Sequence, residues 1–156
     1  MKWIAVDYGE RRTGLAVCDA SELIVTPVTP QIEEKSLNKV AEAAAAARLA
    51  QGADGVVCGL PRNMDGTEGS RCVKSRRFAA RLATACGVPV VLWDERRTTV
   101  TAAGILSANS TFGADRKARL DSVSAAVILE SFLAWRKAHP GEEPPEVAAP
   151  TAPEQA

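Results

Sequence analysis

The chain has 156 residues, of which 46% are hydrophobic and 24% charged, so it suits one soluble domain with a single core and is short for two. Aromatic residues make up only 4%, which argues against a single-strand binder that works mainly by stacking bases. The net charge is zero, but all 19 Lys and Arg residues precede position 139 while four of the 19 acids follow it. The first 138 residues are therefore mildly basic.

The end of the chain differs in composition from the rest. Residues 139–156 hold five of the nine prolines, four glutamates and no Lys or Arg. Such a composition cannot bury enough apolar surface to fold by itself. We therefore predict a folded domain over residues 1–138 and a disordered acidic tail over residues 139–156, called here the acidic segment.

Three strands are predicted first, at 2–8, 14–19 and 23–29, and Pro27 marks the third as an edge strand or a bulge. The later elements alternate: helix 36–51, strand 55–59, helix 68–86, strand 88–93, helix 98–108, a polar and basic stretch at 109–120 expected to be mobile, and helix 121–138. This order predicts an α/β fold with a mixed five-stranded sheet, antiparallel in its first three strands, and helices on both faces. Ligands of such sheets collect beyond the carboxyl ends of the parallel strands.

Four cysteines, at positions 18, 58, 72 and 86, form no CxxC pair and have no histidine at zinc-ligand spacing. We predict buried free thiols, which indicates a reducing compartment. The chain shows no signal peptide and no apolar run long enough to cross a membrane. A cytoplasmic protein with no membrane partner is expected.

Acids stand at two predicted strand ends. Asp7 closes the first strand, where it is either a turn former or a functional group. Asp94 and Glu95 follow the fifth strand, where they are either helix-start acids paired with the neighbouring arginines or site residues. The pattern does not say which of these two points inward.

Asp121 begins the last predicted helix. It is a good N-cap, but Ala125, Ile128 and Phe132 follow it at helical spacing and make the natural buried face. A cap needs no such alignment, so a functional role is favoured.

Three carboxylates that converge at one sheet edge repel one another unless cations neutralise them. Hard oxygen ligands suit Mg²⁺ or Mn²⁺. Two such ions, about 4 Å apart, activate water and stabilise the leaving oxygen in phosphodiester cleavage. The only histidine, His139, lies in the acidic segment, which makes a histidine-based mechanism improbable.

Basic residues surround these acids in the sequence. Lys74, Arg77 and Arg81 share one face of the second helix, which is ordinarily a solvated face. Next to the acids, such a stripe suits a phosphate backbone. The predicted nucleic-acid contacts are Arg11, Arg62, Asn63, Arg71, Lys74, Arg77, Arg96, Arg97 and Lys117.

Four blocks, "DYGERRTGLAV", "GLPRNMDGTEG", "DERRTTVTA" and "LDSVSAAVILESFL", resemble in order and spacing the YqgF/RuvX family. Members of that family are described as Holliday-junction resolvases or as nucleases of small-subunit rRNA precursors. The resemblance covers about residues 2–136 and implies an RNase H-like fold with metal-dependent cleavage of nucleic acid. It also implies that Asp7, Glu95 and Asp121 bind the metal, and so selects Glu95 over Asp94.

The sequence thus predicts a metal-dependent nuclease acting on RNA or branched DNA. A homodimer would suit symmetric cutting of a junction. Two alternatives stay open: a non-catalytic RNA-binding adaptor, and a nucleotide-binding protein of the sugar-kinase and actin type, whose phosphate hairpin also reads Asp-x-Gly.

Overall fold

A computed structural model of the chain describes residues 1–98 and 114–151, with side chains up to Arg96 and from Val123 to Thr151. The strands are β1 (Trp3–Asp7), β2 (Thr13–Cys18), β3 (Val25–Ile32), β4 (Gly55–Leu60), β5 (Val90–Asp94) and β6 (Val147–Ala148). The helices are α1 (Leu37–Gln51), α2 (Ser70–Cys86) and α3 (Ala114–Ala138), and a single 3-10 turn spans Glu95–Thr98.

The strands form one mixed sheet in the order β3-β2-β1-β4-β5-β6. β1, β2 and β3 pair antiparallel, whereas β4 lies parallel to both β1 and β5. The predicted antiparallel meander followed by parallel strands is confirmed. β3 is an edge strand, which is where a proline such as Pro27 is tolerated, because its missing N–H interrupts no inner ladder.

Strand alternation divides the core into two layers. Ile4, Val6 and Cys58 face the layer covered by α1 and α2. Trp3, Ala5 and the inward residues of β5 face the layer covered by α3, where Phe132 is fully buried. The prediction of helices on both faces is therefore confirmed.

Local chemistry fixes the ends of these elements. The Ser36 side chain accepts a hydrogen bond from the Lys39 N–H and so caps α1, which ends at Gly52 in a left-handed conformation (φ 65°). In the β1–β2 hairpin a Cβ at Gly9 would overlap the Arg12 carbonyl oxygen, so only glycine fits this tight turn.

The sheet has six strands rather than the five predicted. The sixth comes from the acidic segment, for which composition predicted disorder: Val147 and Ala148 pair antiparallel with Val91 and Val90. An uncovered β5 would leave a row of unpaired backbone groups, and β6 satisfies part of that row. The third strand also runs later than predicted, over 25–32 instead of 23–29.

The last helix begins at Ala114 rather than near residue 121, so part of the stretch expected to be mobile is helical. The added turns hold Ala, Arg, Lys and Leu, residues of high helix propensity. Because several residues of this stretch are polar, its hydrophobic pattern resembles that of a loop rather than a helix. The helix predicted over 98–108 lies outside the described residues, apart from its first residue in the 3-10 turn.

The cysteines form no disulfide: Cys18, Cys58 and Cys72 are buried free thiols, as predicted, and Cys86 is half-buried. Among the helices that the structure describes, none combines the length and apolar character needed to cross a membrane.

Candidate active site

The first predicted site residue, Asp7, is the last residue of β1 and is half-buried. Alternation places Asp7 on the same face as Ala5 and Trp3, the face covered by α3. β1 lies inside the sheet, where Asp7 is opposite Gly14 of β2. The carboxylate is therefore carried by a rigid central strand.

The second, Glu95, follows β5 directly and opens the 3-10 turn. Its carboxylate lies over Gly59 of β4: a Cβ built at Gly59 would be 2.6 Å from Glu95 Oε2 and 2.7 Å from Ile128 Cδ1 of α3. The absent side chain of Gly59 thus makes the room that Glu95 occupies on the α3 face. A glycine inside a buried strand signals such a close approach, although the sequence analysis did not use it.

The register of β1, β4 and β5 places Asp7 and Glu95 at the same end of the sheet. Val6 is level with Cys58 and Gly59 with Trp93, so Asp7 and Glu95 project from the strands on either side of β4. The Cys58 thiol lies near enough to both acids for their charges to affect its pKa. Burial raises this pKa most, and the negative charges of Asp7 and Glu95 both raise it further. We call these two acids the carboxylate pair.

The electrostatic surroundings of Glu95 differ from those of its neighbour Asp94. Burial raises the pKa of Glu95, the positive charge of Arg71 opposes this, and the charge of Asp94 adds to it. Burial also acts to raise the pKa of Asp94, but hydrogen bonds from Arg96 and the charge of Arg62 outweigh it and leave that pKa lowered. Glu95 therefore lies on the side of Asp7, and Asp94 lies among the arginines.

The third predicted acid, Asp121, lies within α3 rather than at its start, so it is not the N-cap of that helix. Its backbone stands one turn before Ala125 and two turns before Ile128, both buried on the face that packs on the sheet. The side chain of Asp121 lies outside the described residues, as do those of Arg97 and Lys117.

A cleft of about 430 Å³ adjoins Glu95, and its lining includes the predicted contacts Arg62, Asn63, Arg71 and Arg96. Asn63 is held in its loop by a 2.9 Å hydrogen bond from its side-chain amide to Thr67 Oγ1. Arg71 is exposed and electrostatically coupled to Glu95. The structure thus brings these four predicted contacts together beside one of the candidate acids.

The remaining predicted contacts lie further along the surface. Lys74 pairs with Glu10 at the tip of the β1–β2 hairpin, and Arg77 is exposed on the same helix. Arg11 is exposed and lines a separate pocket with Lys35 and Lys39. These residues lie away from the cleft, on a surface that also carries the acids Glu10, Glu33 and Glu34.

Sequence reasoning missed a set of linked ion pairs beside the cleft. Arg62 and Arg76 share the carboxylates of Glu68 and Glu146, and Arg62 and Arg96 share that of Asp94. We call this set the arginine cluster; its members are Arg62, Arg76, Arg96, Glu68, Asp94 and Glu146. No sequence signal joined Glu146 to it, because Glu146 lies in a segment whose composition predicts disorder.

The carboxylate pair suits a hard divalent cation. It offers only oxygen donors, it sits where Gly59 leaves space that a Cβ would fill, and burial acts against its charge at Glu95. Among the side chains that the structure describes, no group of three acids, histidines or cysteines is placed so that it could hold a metal ion. Asp121, whose side chain is not among them, is the candidate third ligand.

The mixed sheet with helices on both faces is an arrangement that solved structures share. The chain is similar to T. thermophilus RuvC in complex with a Holliday junction substrate, with a TM-score of 0.60 and 13% identity over 89% of this chain and 97% of that one. A structure of Thermus thermophilus RuvC gives a TM-score of 0.56 over 88% and 97%. At this identity the likeness shows the fold alone.

Sequence comparison is more specific. The profile of the RuvX family, described as Holliday junction resolvase, matches residues 1–135, and the chain belongs to this family. A relative from Syntrophus aciditrophicus, named "Putative pre-16S rRNA nuclease", is 39% identical over 133 residues, covering 85% of this chain and 88% of the relative. One of the same name from Rhodopirellula baltica is 41% identical over 134 residues, covering 83% and 74%. The resemblance predicted from the four sequence blocks is confirmed.

Proposed function

We propose that this chain is a divalent-metal-dependent nuclease whose ions are held by Asp7, Glu95 and Asp121. The observation that carries the proposal is the convergence of Asp7 and Glu95 on the two sides of Gly59, with Glu95 buried enough to raise its pKa. Membership of a family described as Holliday junction resolvase, and relatives named for pre-16S rRNA cleavage, support the same chemistry.

The residues divide the work. Asp7, at the end of β1, and Glu95, directly after β5, would hold Mg²⁺ or Mn²⁺, with Asp121 of α3 as third ligand. Two such ions, when bound, activate water and stabilise the leaving oxygen of a phosphodiester. Arg71, beside Glu95, and Asn63, in the cleft wall, position the backbone of the nucleic acid.

We place the catalytic domain within residues 1–138, and the substrate class is structured nucleic acid. The two descriptions in the family, junction DNA and small-subunit rRNA precursor, define the arms of one assay. A four-way DNA junction, linear DNA and precursor rRNA are offered side by side with Mg²⁺ and with Mn²⁺. A homodimer is expected if the junction is the substrate that is cut, because paired incisions need two sites.

The decisive variant is Asp7→Asn, which keeps the shape of the side chain and removes its charge. We expect cleavage to fall about a thousandfold or more, with binding largely kept, since several kcal/mol of charge stabilisation is lost. Asp54→Asn is the matched control, because Asp54 is an exposed acid that accepts a hydrogen bond from the Lys2 N–H at the other end of the sheet. Unchanged cleavage by folded Asp7→Asn protein would refute the proposal, and binding without cleavage by the unmodified chain would favour the adaptor alternative.

A further inference from the structure

The arginine cluster holds an anion supplied by the chain itself. Glu146 Oε1 lies 2.5 Å from Arg62 Nη2, and Glu146 Oε2 lies 2.9 Å from Arg76 Nη2, so one carboxylate bridges two guanidinium groups. This arrangement places two oxygens of one anion on two arginines, as a phosphate group would. All three side chains are partly exposed, so a ligand from solvent can reach them.

Charge counting shows what Glu146 does there. The cluster contains three guanidinium groups, from Arg62, Arg76 and Arg96, and three carboxylates, from Glu68, Asp94 and Glu146. With Glu146 in place the set is neutral. Without it the set carries one net positive charge, and Arg62, one of the two arginines that lose this partner, lines the cleft that contains Glu95.

The backbone around Glu146 explains why it reaches this place. The Leu92 N–H donates a 3.0 Å hydrogen bond to the Glu146 carbonyl oxygen, and the next two residues form β6 against β5. This strand is only two residues long, so few hydrogen bonds hold it. The acidic segment lies beyond residue 135, where the family match ends.

We infer that Arg62 and Arg76 form a phosphate-binding site beside the catalytic cleft, and that Glu146 of the acidic segment occupies this site in competition with the backbone of the nucleic acid. The inference rests on the proposed function for the identity of the ligand. It assigns Arg76 a binding role, and it gives the acidic segment a function: nucleic acid binds after displacing β6 and Glu146.

The test measures binding in the Asp7→Asn background, so that the probes stay intact. A fluorescein-labelled four-way DNA junction and a fluorescein-labelled RNA hairpin are titrated with protein at several salt concentrations. Glu146→Gln is expected to bind both about two- to fivefold more tightly, the range of a partly exposed ion pair. Its logarithmic salt dependence should steepen by about one, the value of one added phosphate contact. Glu143→Gln, which removes an equal charge from an exposed residue of the same segment, should change neither quantity.

Arg76→Gln separates competition from a general charge effect. In the chain with Glu146 we expect little loss of affinity, because Arg76 is already occupied. Combined with Glu146→Gln, the same change should remove the gain. A gain that survives without Arg76, or a Glu146→Gln protein that binds no better than Glu143→Gln, would overturn the inference.

A second measurement needs no change at Glu146. Adding the RNA hairpin or the junction should speed hydrogen exchange at the Leu92 amide, because its acceptor leaves with β6. Unchanged exchange at saturating probe would overturn the competition. Failure of the nuclease proposal shows instead as absence of cleavage in the unmodified chain, so the two failures are distinguishable.

Discussion

The carboxylate pair and the arginine cluster meet at two adjacent residues, Glu95 and Asp94, yet their surroundings differ in kind. The half-buried Glu95 carboxylate lies over a glycine beneath α3, and burial raises its pKa. Asp94 accepts hydrogen bonds from Arg96 and lies 3.5 Å from Arg62, and its pKa is lowered despite burial. Two adjacent residues therefore differ in their energetics: the position of Glu95 carries an energetic cost, whereas Asp94 is stabilised by its neighbours.

That difference separates a site from a scaffold. Acids matched by arginines within the protein are stabilised by them, so an incoming anion reaches those arginines only by displacing an acid. A carboxylate held in a buried position against its own solvation is typical of functional sites, since binding a cation relieves the cost. Substitutions in the two regions should therefore have opposite signs in stability.

Among the substitutions that compare the two regions, the largest effect is expected for Glu95→Gln. Cleavage should fall by about a hundredfold or more, because an amide replaces a charged metal ligand. Burial raises the folded pKa of Glu95, so its contribution to stability is present below the unfolded pKa and is lost as pH rises through the folded pKa. The variant should thus unfold at a higher temperature than the unmodified chain at pH 7–8 and show no such gain at acidic pH.

Thermal unfolding with and without Mg²⁺ checks this prediction independently of activity. Mg²⁺ should raise the unfolding temperature of the unmodified chain and have a smaller effect on Glu95→Gln, since only a ligand that binds the folded state stabilises it. Glu130→Gln, at an exposed acid of α3 on the opposite side of the molecule, should leave cleavage and the Mg²⁺ response unchanged. A Glu95→Gln protein that is less stable at pH 8 would remove the contrast between the two regions.

The next largest effect is expected for Gly59→Ala. The added methyl group would stand 2.6 Å from Glu95 Oε2 and 2.7 Å from Ile128 Cδ1, so the carboxylate must move. We expect a loss of about 1–3 kcal/mol in the free energy of unfolding. Cleavage should fall by about a hundredfold, because a displacement near 1 Å misaligns the site.

Gly87→Ala is the matched control for this change. Gly87 ends α2 in a left-handed conformation (φ 73°) with nothing within 4 Å of an added Cβ. A comparable loss of stability, about 1 kcal/mol, should occur there through backbone strain, while cleavage is kept. Chemical denaturation and the cleavage assay, run on both proteins, separate displacement of Glu95 from general destabilisation. Equal activity in the two variants would contradict the role given to Gly59.

The sequence could predict those features of the structure that depend on residues close together in the chain. β1, α1, β4 and α2 were predicted within about two residues, because alternation, capping and helix-ending glycines are local patterns. The antiparallel first strands, the parallel later ones and the helices on both faces followed from the order of strands and helices along the chain. The resemblance selected Glu95 over Asp94, and the structure adds a physical difference between them: one lies over Gly59 and the other is held by arginines.

The remaining features depend on contacts between distant residues. Glu146 reaches Arg62 across the sheet, and β6 exists because β5 offers an open edge, so neither can be seen in the composition of the acidic segment. The early start of α3 was missed for another reason. Polar residues on an exposed helix end resemble a loop in any pattern that scores hydrophobic periodicity.

The smallest effect is expected for Glu68→Gln, in the arginine cluster, where neighbouring arginines stabilise the acids. Hydrogen bonds from Arg76, opposed by burial and aided by Arg62, lower the pKa of Glu68 from 4.5 to about 2. The contribution to stability is therefore present above the unfolded pKa and is lost as pH falls through the folded value. The variant should be slightly less stable than the unmodified chain at pH 7 and equal to it near pH 2, and added salt should shrink the difference because the group is exposed. Unfolding temperatures across this pH range, with Glu143→Gln as control, test the sign of the change in stability. This sign must be opposite to that for Glu95→Gln if the two regions differ as their surroundings indicate.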